Sequence, residues 1–384
     1  MDNLKSKAKL SIKQIVVICF VFAVSAALFI TGSYFMLYEP DPGTTKVPFI
    51  TDTTPATGDN TGSPSTTDVP PTYVPVEKKS YNFLVIGHDR VAVLADVIML
   101  VNYNVTDGEV AIMQIPRDTH IDGDGSYTQI NVAFSQMYAK AYMNGSKNPT
   151  LDAANGLASL LEKNLCININ YSAVMNLDGF INIVDIIGGV EMNVPYDLQY
   201  EDEFQNLYIN IKAGYQTLNG AQAEGFVRYR HNYVQADIGR ENAQKIFMAA
   251  FMKKLISSID VSSATQIAGQ VFKNVTTDLK VDDIVYFGRN ALSLSLSKIT
   301  LMTIPSSGTL DGRIVINRKA TLERINRYFN LYSKDITDSL FDKNRVFCPD
   351  DEYSIGKYCD NSPEIDTIYT AQGIIDNSID IPRF

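Results

Sequence analysis

The chain opens on polar residues and then runs from Ile15 to Tyr38 without one charged side chain. About 20 apolar residues at 1.5 Å each cross the hydrocarbon core of a bilayer, so residues 15-38 are predicted to form one transmembrane helix. A cleavable signal has a shorter apolar core and a small-residue cleavage site. Val24-Ser25-Ala26 imitates such a site, but the run continues well past it, which favours an uncleaved anchor. Lys5, Lys7, Lys9 and Lys13 precede the run and place residues 1-14 in the cytoplasm, with everything after Tyr38 outside.

Residues 39-79 are dense in Pro, Thr, Ser, Gly and Asp and show almost no apolar periodicity, which reads as a flexible tether. The pattern changes at Tyr81. Tyr81 to Gly87, Asp96 to Val105 and Glu109 to Pro116 are β-branched, mostly apolar runs, the last two joined by an Asp107-Gly108 turn signal. Near-continuous apolar strands make a sheet buried on both faces, which helices must cover. Leu151, Ala154, Leu157, Leu161 and Leu165 fall at helical spacing behind a Thr150 cap, and Arg240 to Ile259 gives a second amphipathic run. Residues 80-332 therefore read as one α/β domain, followed by an extension, 333-384, without a catalytic pattern.

Charge adds a constraint. Across 384 residues, 43 Asp and Glu face 33 Lys and Arg, a net charge of -10, which argues against a general nucleic-acid partner. Three histidines and four cysteines without ligand spacing leave no histidine- or cysteine-built metal site. Cys19 lies in the apolar run and Cys166 reads as a buried thiol. Cys348 and Cys359 are placed to form a disulfide in an oxidising exterior, worth roughly 3 kcal/mol on the chain-entropy estimate.

The strand order carries chemistry. If the first two strands are antiparallel, Asp89 after the first and Asp96 at the start of the second meet at one sheet edge. The third strand exits at the same edge with Arg117 and Asp118. A second cluster follows: Arg228 and Arg230 point the same way in extended backbone, and Arg240 opens a helix whose amides favour an anion. Grouped arginines in an acidic chain indicate an anionic, phosphate-like ligand. The carboxylates beside them admit two readings, simple ion pairs or ligands for a hard cation such as Mg²⁺. Together the groups suit a pyrophosphate and phosphoryl transfer or hydrolysis.

These residues resemble a known family. Asn82 to Arg90 (NFLVIGHDR), Asp96 to Leu100, Ile115 to Thr119, Ile130 to Ala133, Asp185 to Val190, Val194-Pro195, Leu218 to Ala223, Val227 to His231 and Asp237 to Arg240 look like the ordered motifs of the LytR-CpsA-Psr family. The resemblance is close over residues 80 to 258 and looser to 332. It implies a three-layer α/β/α sandwich, anchored in the cell membrane of a Gram-positive bacterium with its catalytic domain extracellular. It also implies a phosphotransferase that moves a glycopolymer, such as teichoic acid, from a polyprenyl-pyrophosphate-linked donor to peptidoglycan. By this resemblance Asp89 and Asp96 hold Mg²⁺, with Mn²⁺ as a substitute, and Arg117, Arg228, Arg230 and Arg240 clamp the pyrophosphate, joined by Arg90. Asp118 or Asp237 is the candidate proton acceptor.

Two departures stand out. The loop from Gly87 to Asp96 is short and apolar where the family often carries Gly and Ser, and Ala243 precedes Gln244 where the family commonly has a second arginine. An apolar slot for the polyprenyl chain is expected either along Phe247, Met248, Phe251 and Met252 or along Leu157, Leu160 and Leu161. A pyrophosphatase and a non-catalytic polyprenyl-lipid-binding envelope regulator are the alternatives; the paired carboxylates favour catalysis.

Overall fold

The computed structural model describes residues 38–40, 78–90, 93–121, 129–203, 207–233, 236–258, 273–291, 293–309, 313–341, 347 and 362–381, without the side chains of 236, 237 and 258. The apolar run up to residue 37, residues 41–77, Cys19, Cys348 and Cys359 lie outside the described residues, among which no helix is long and apolar enough to cross a membrane.

The three apolar runs form an antiparallel meander: β1 (Ser80–His88), β2 (Ala95–Asn104) and β3 (Glu109–Ile115). Gly108, at φ +63°, supplies the left-handed residue of the β2–β3 turn, and Asp107 N donates to Asn104 Oδ1 at 3.0 Å. Two helices, α1 (Ile130–Met143) and α2 (Pro149–Leu165), then return the chain to β4 (Tyr171–Asn176), which runs parallel to β1. The cap of α2 is Asn148, whose side chain accepts from Leu151 N at 3.2 Å, and not Thr150. Pro149 takes the first helical position, where its missing N–H is harmless, and so the start lies two residues earlier than expected.

After α3 (Leu177–Ile186), two small pairings lie outside the main sheet: β5 (Val190–Val194) with β8 (Gly214–Leu218), and β6 (Leu198–Asp202) with β7 (Leu207–Ile211). Then come α4 (Gly220–Arg228), α5 (Ala236–Ser258), β9 (Thr276–Thr277) and α6 (Val281–Ala291). The strand β10 (Ile299–Thr303) joins β3 in parallel, β11 (Ser306–Gly308) pairs with β12 (Ile314–Ile316), and α7 (Arg318–Tyr328) follows. The segment after 332, read from sequence as an extension, is built into the domain: β13 (Ile368–Thr370) is the strand beside β10, and Ala371 and Ile374 of α8 (Ala371–Asn377) are buried in the core. The central sheet is mixed and has the order β13-β10-β3-β2-β1-β4-β9.

Alternation along the strands divides the core in two. Leu84, Ile86, Ile98, Leu100 and Met113 face Phe134, Leu157, Leu161 and Ile325 of α1, α2 and α7. Tyr81, Tyr103, Val110 and Ile112 face the other way, toward Phe226, Phe247, Tyr286 and Phe287 of α4, α5 and α6. Helices thus cover both faces, as the near-continuous apolar strands require. Cys166, expected to be buried, is half-buried in the left-handed residue that ends α2, with Sγ 3.1 Å from Leu340 O.

Candidate functional site

The site forms where the meander delivers its charged ends. A register shift at Gly87/His88 ends regular pairing of β1, and Asp89 closes the short loop: its N donates to Leu94 O at 3.2 Å and its Oδ1 accepts from Leu94 N at 2.9 Å. Val93, at φ +54°, completes that reversal. Arg117, just after β3, donates Nη1 to Asp96 Oδ1 at 2.9 Å, and its Nε stands 3.5 Å from Asp118 Oδ2. The expected meeting of Asp96 with Arg117 and Asp118 is therefore realised.

Helices bring the remaining arginines. Asn219 and Gln222 form a reciprocal capping box that fixes the start of α4, and Gly220 N donates to Asp185 Oδ1 at 2.7 Å. The capped helix carries on to Arg228, so Arg228 is helical and not in extended backbone as expected; the chain becomes extended only at Tyr229. Tyr229 and Tyr233, both buried, pack edge to face at 5.3 Å and anchor the turn that exposes Arg230. Arg240 is buried, and it sits inside α5, four residues past Ala236, instead of opening the helix.

Glu224, one turn before Arg228, was not singled out from sequence. Its Oε1 accepts from Arg228 Nη1 at 2.8 Å and from Arg90 Nη1 at 2.8 Å, while Arg90 Nε donates to Asp178 Oδ1 at 2.8 Å. Held by Glu224 and Asp178, the Arg90 guanidinium is raised still further above its ordinary value and stays charged. The (i, i+4) spacing of Glu224 and Arg228 was the available signal. Nothing local signalled the pairing of Glu224 with Arg90, 134 residues away.

One cavity of about 810 Å³ connects these groups. Asp89, Asp96, Arg117, Arg228, Arg230, Arg240 and Lys245 contribute its charged lining; Val85, Met99, Ala173, Phe180, Phe247, Met248, Phe251 and Leu255 contribute apolar lining. Five cations against two carboxylates make this a positive site in an acidic chain. Arg90 and Asp118 do not line it, and the side chain of Asp237 lies outside those described. Leu157 and Leu161 are fully buried on the opposite face of the sheet, so of the two expected stripes only the one on α5 borders the cavity. Ala243, where the resemblance expects an arginine, is fully buried in the core, whereas Lys245 reaches the cavity two residues later.

Lys245 is 3% exposed, with Nζ 3.4 Å from Asn242 Oδ1. Burial, partly offset by Glu241, pushes its ammonium down to about 8. Gln244 beside it accepts from Gln114 Nε2 at 2.5 Å and donates to Val227 O at 3.2 Å, tying α5 to β3 and α4. Among the described residues no group of three or more His, Cys, Asp or Glu could hold a metal. Asp89 and Asp96 supply hard oxygen donors, and Asp96 Oδ2 has no partner among the described residues. That donor set fits Mg²⁺ completed by phosphate oxygens, since Mg²⁺ is commonly held by one or two carboxylates plus substrate.

Comparison with known proteins agrees with this architecture. TagV of Bacillus subtilis (strain 168), a polyisoprenyl-teichoic acid--peptidoglycan teichoic acid transferase, is 26% identical over 246 residues, 61% of this chain and 59% of its own. TagU of Bacillus mycoides (strain KBAB4), named for the same activity, is 30% identical over 198 residues, 51% of this chain and 58% of its own. The chain thus spans about three fifths of the length of these curated relatives. The structure of a LytR-Csp2A-Psr enzyme from Actinomyces oris superposes with a TM-score of 0.51 at 23% identity, covering 68% of this chain and 94% of that one, and so shares the fold. The model of the LytR_cpsA_psr family matches residues 51–329, well over half of the sequence, and the chain belongs to that family.

Proposed function

We propose that this chain is a membrane-anchored, extracellular phosphotransferase that moves a glycopolymer from a polyprenyl-pyrophosphate carrier to peptidoglycan. The observation that carries the reading is a single cavity lined both by a cluster of arginines and by apolar side chains of α5. Such a shape accepts an amphiphile with a diphosphate head and a hydrocarbon tail. The names of TagV and TagU support the same donor and acceptor classes.

In this reading a peptidoglycan sugar hydroxyl attacks the phosphorus that bears the glycan, and the bond from that phosphorus to the bridging oxygen breaks. A phosphodiester forms and polyprenyl phosphate leaves. Arg117, Arg228, Arg230, Arg240 and Lys245 bind the diphosphate and neutralise charge growing on the leaving group. Asp96 holds Arg117, and Glu224 holds Arg228, so less ordering is left to binding. Asp89 and Asp96 would hold Mg²⁺, or Mn²⁺ in its place, which when bound supplies Lewis-acid stabilisation of the phosphate oxygens. Asp118 or Asp237, the two candidates that the resemblance implies, takes the hydroxyl proton.

The test is incubation of the full chain in detergent with labelled polyprenyl-pyrophosphate glycan, Mg²⁺ and a peptidoglycan oligomer. Label on the oligomer is expected. Label released only as free glycan phosphate would make the protein a pyrophosphatase, and tight lipid co-purification without turnover would make it a binder.

A further inference from the structure

The uncharged run 15–38 ends at Tyr38, and Tyr38 is docked on the domain. Its ring packs against the core on the α6 side of the sheet, and its Oη donates to Asp283 Oδ1 at 2.6 Å. Asp283 is itself 3% exposed and belongs to the first turn of α6, where Oδ2 accepts from Lys280 N at 2.8 Å. The next residue, Glu39, pairs with Lys79 Nζ. Lys79 is fixed in turn: its N donates to Thr106 Oγ1 at 3.0 Å and its O accepts from Val105 N at 2.8 Å. The chain therefore touches the same corner of the domain at 38–39 and again at 79.

That corner has a defined relation to the cavity. Phe287 of α6 packs its ring 5.1 Å from Phe83 and 5.9 Å from Tyr171. Val85 and Ala173, each two residues further along the same strands and on the same face, are the first residues of β1 and β4 to line the cavity. Asp89 lies six residues past Phe83, about 20 Å along the strand direction. The cavity lining thus begins, at Val85 and Ala173, two residues from the contact with α6, and Asp89 lies toward its other end along β1.

We propose that the corner formed by Tyr38, Glu39, Lys79 and the first turn of α6 rests on the lipid bilayer. The proposal rests on the reading of 15–38 as a membrane span. The bilayer is the occupant because the apolar run meets this corner with no intervening residue, so a span and the corner cannot be far apart. The carboxylate end of the cavity, at Asp89, then stands roughly 30 Å from the docked corner along β1.

Two measurements on the full chain in vesicles test this. In the first, Glu39→Cys is paired with Lys79→Cys, or with Lys319→Cys at the start of α7 as a control, and disulfides are mapped on peptides after mild oxidation. The 39–79 pair is expected to exceed the control at least about tenfold, because a free 40-residue linker would dilute both. Equal yields would overturn the clamp. In the second, a fluorophore on Lys78→Cys is expected to be quenched by spin-labelled lipid, while one on Lys319→Cys is not; equal quenching would overturn the bilayer contact. Release of the unmodified protein from membranes by alkaline carbonate would instead remove the anchor reading itself, a failure separate from that of the cross-link.

Discussion

Arg228 donates to the same carboxylate oxygen of Glu224 that holds Arg90, both at 2.8 Å. Glu224 is buried, so it stands as a fixed anion between two guanidinium groups. Replacing it by Gln keeps the shape and removes the charge. Hydrogen bonds to charged groups contribute about 1.5–3 kcal/mol, so Glu224→Gln is expected to lower kcat/KM roughly 10- to 100-fold. Arg90→Ala should cost less than Arg228→Ala, because only Arg228 lines the cavity. Carrier-turnover kinetics on the three variants check both statements.

Asp96 and Arg117 form the second fixed pair, at 2.9 Å. Arg228→Ala and Asp96→Ala are each expected to abolish turnover while the far-ultraviolet circular dichroism stays that of the wild type. Both side chains are partly exposed, so neither loss opens a core cavity. Wild-type activity in either variant would remove these residues from the site.

The apolar slot separates two residue sets that look alike in sequence. Met248→Glu places a charge in the slot and should raise KM for a long polyprenyl carrier at least about tenfold, leaving a short-chain carrier nearly unaffected. Leu161→Ala, on the opposite core, should instead cost about 2–5 kcal/mol of stability with no change in chain-length preference. Comparing carriers of two tail lengths, beside urea unfolding, distinguishes the outcomes.

Lys245 gives a pH signature. Its ammonium titrates near 8 when folded against 10.5 unfolded, so between those values the unfolded chain binds more protons and stability rises with pH. The expected gain is about 2 kcal/mol between about pH 7.5 and about pH 9.5. Tyr81, Tyr103, Tyr171 and Tyr332, all raised by burial, act in the opposite direction only above about pH 10, where the unfolded tyrosines ionise. Urea midpoints across the window should rise for the wild type and stay nearly flat for Lys245→Met.

Particular residues show where sequence reading reached and where it stopped. The meander was legible because Asp107-Gly108 is a local turn signal and the strands alternate faces at a period of two. The edge that gathers Asp89, Asp96 and Arg117 followed from that meander alone. The conformation of Arg228 was not legible, because the capping box at Asn219 and Gln222 carries the helix to that residue. Nor was the role of 362–381, since a three-residue strand such as β13 has too few positions to show a pattern and exists only by pairing with β10.

The sequence by itself determined which residues alternate into a two-sided core, where an uncharged run long enough to span a bilayer lies, and that arginines and carboxylates recur beside strand ends. These are local properties, set by side-chain period and turn chemistry. Only the tertiary structure decided that Glu224 joins Arg90 to Arg228, that α5 and not α2 borders the slot, that Lys245 enters it, and that Tyr38 reaches Asp283 across 245 residues. Each of these depends on which distant surfaces exclude water from one another, and no local period carries that information.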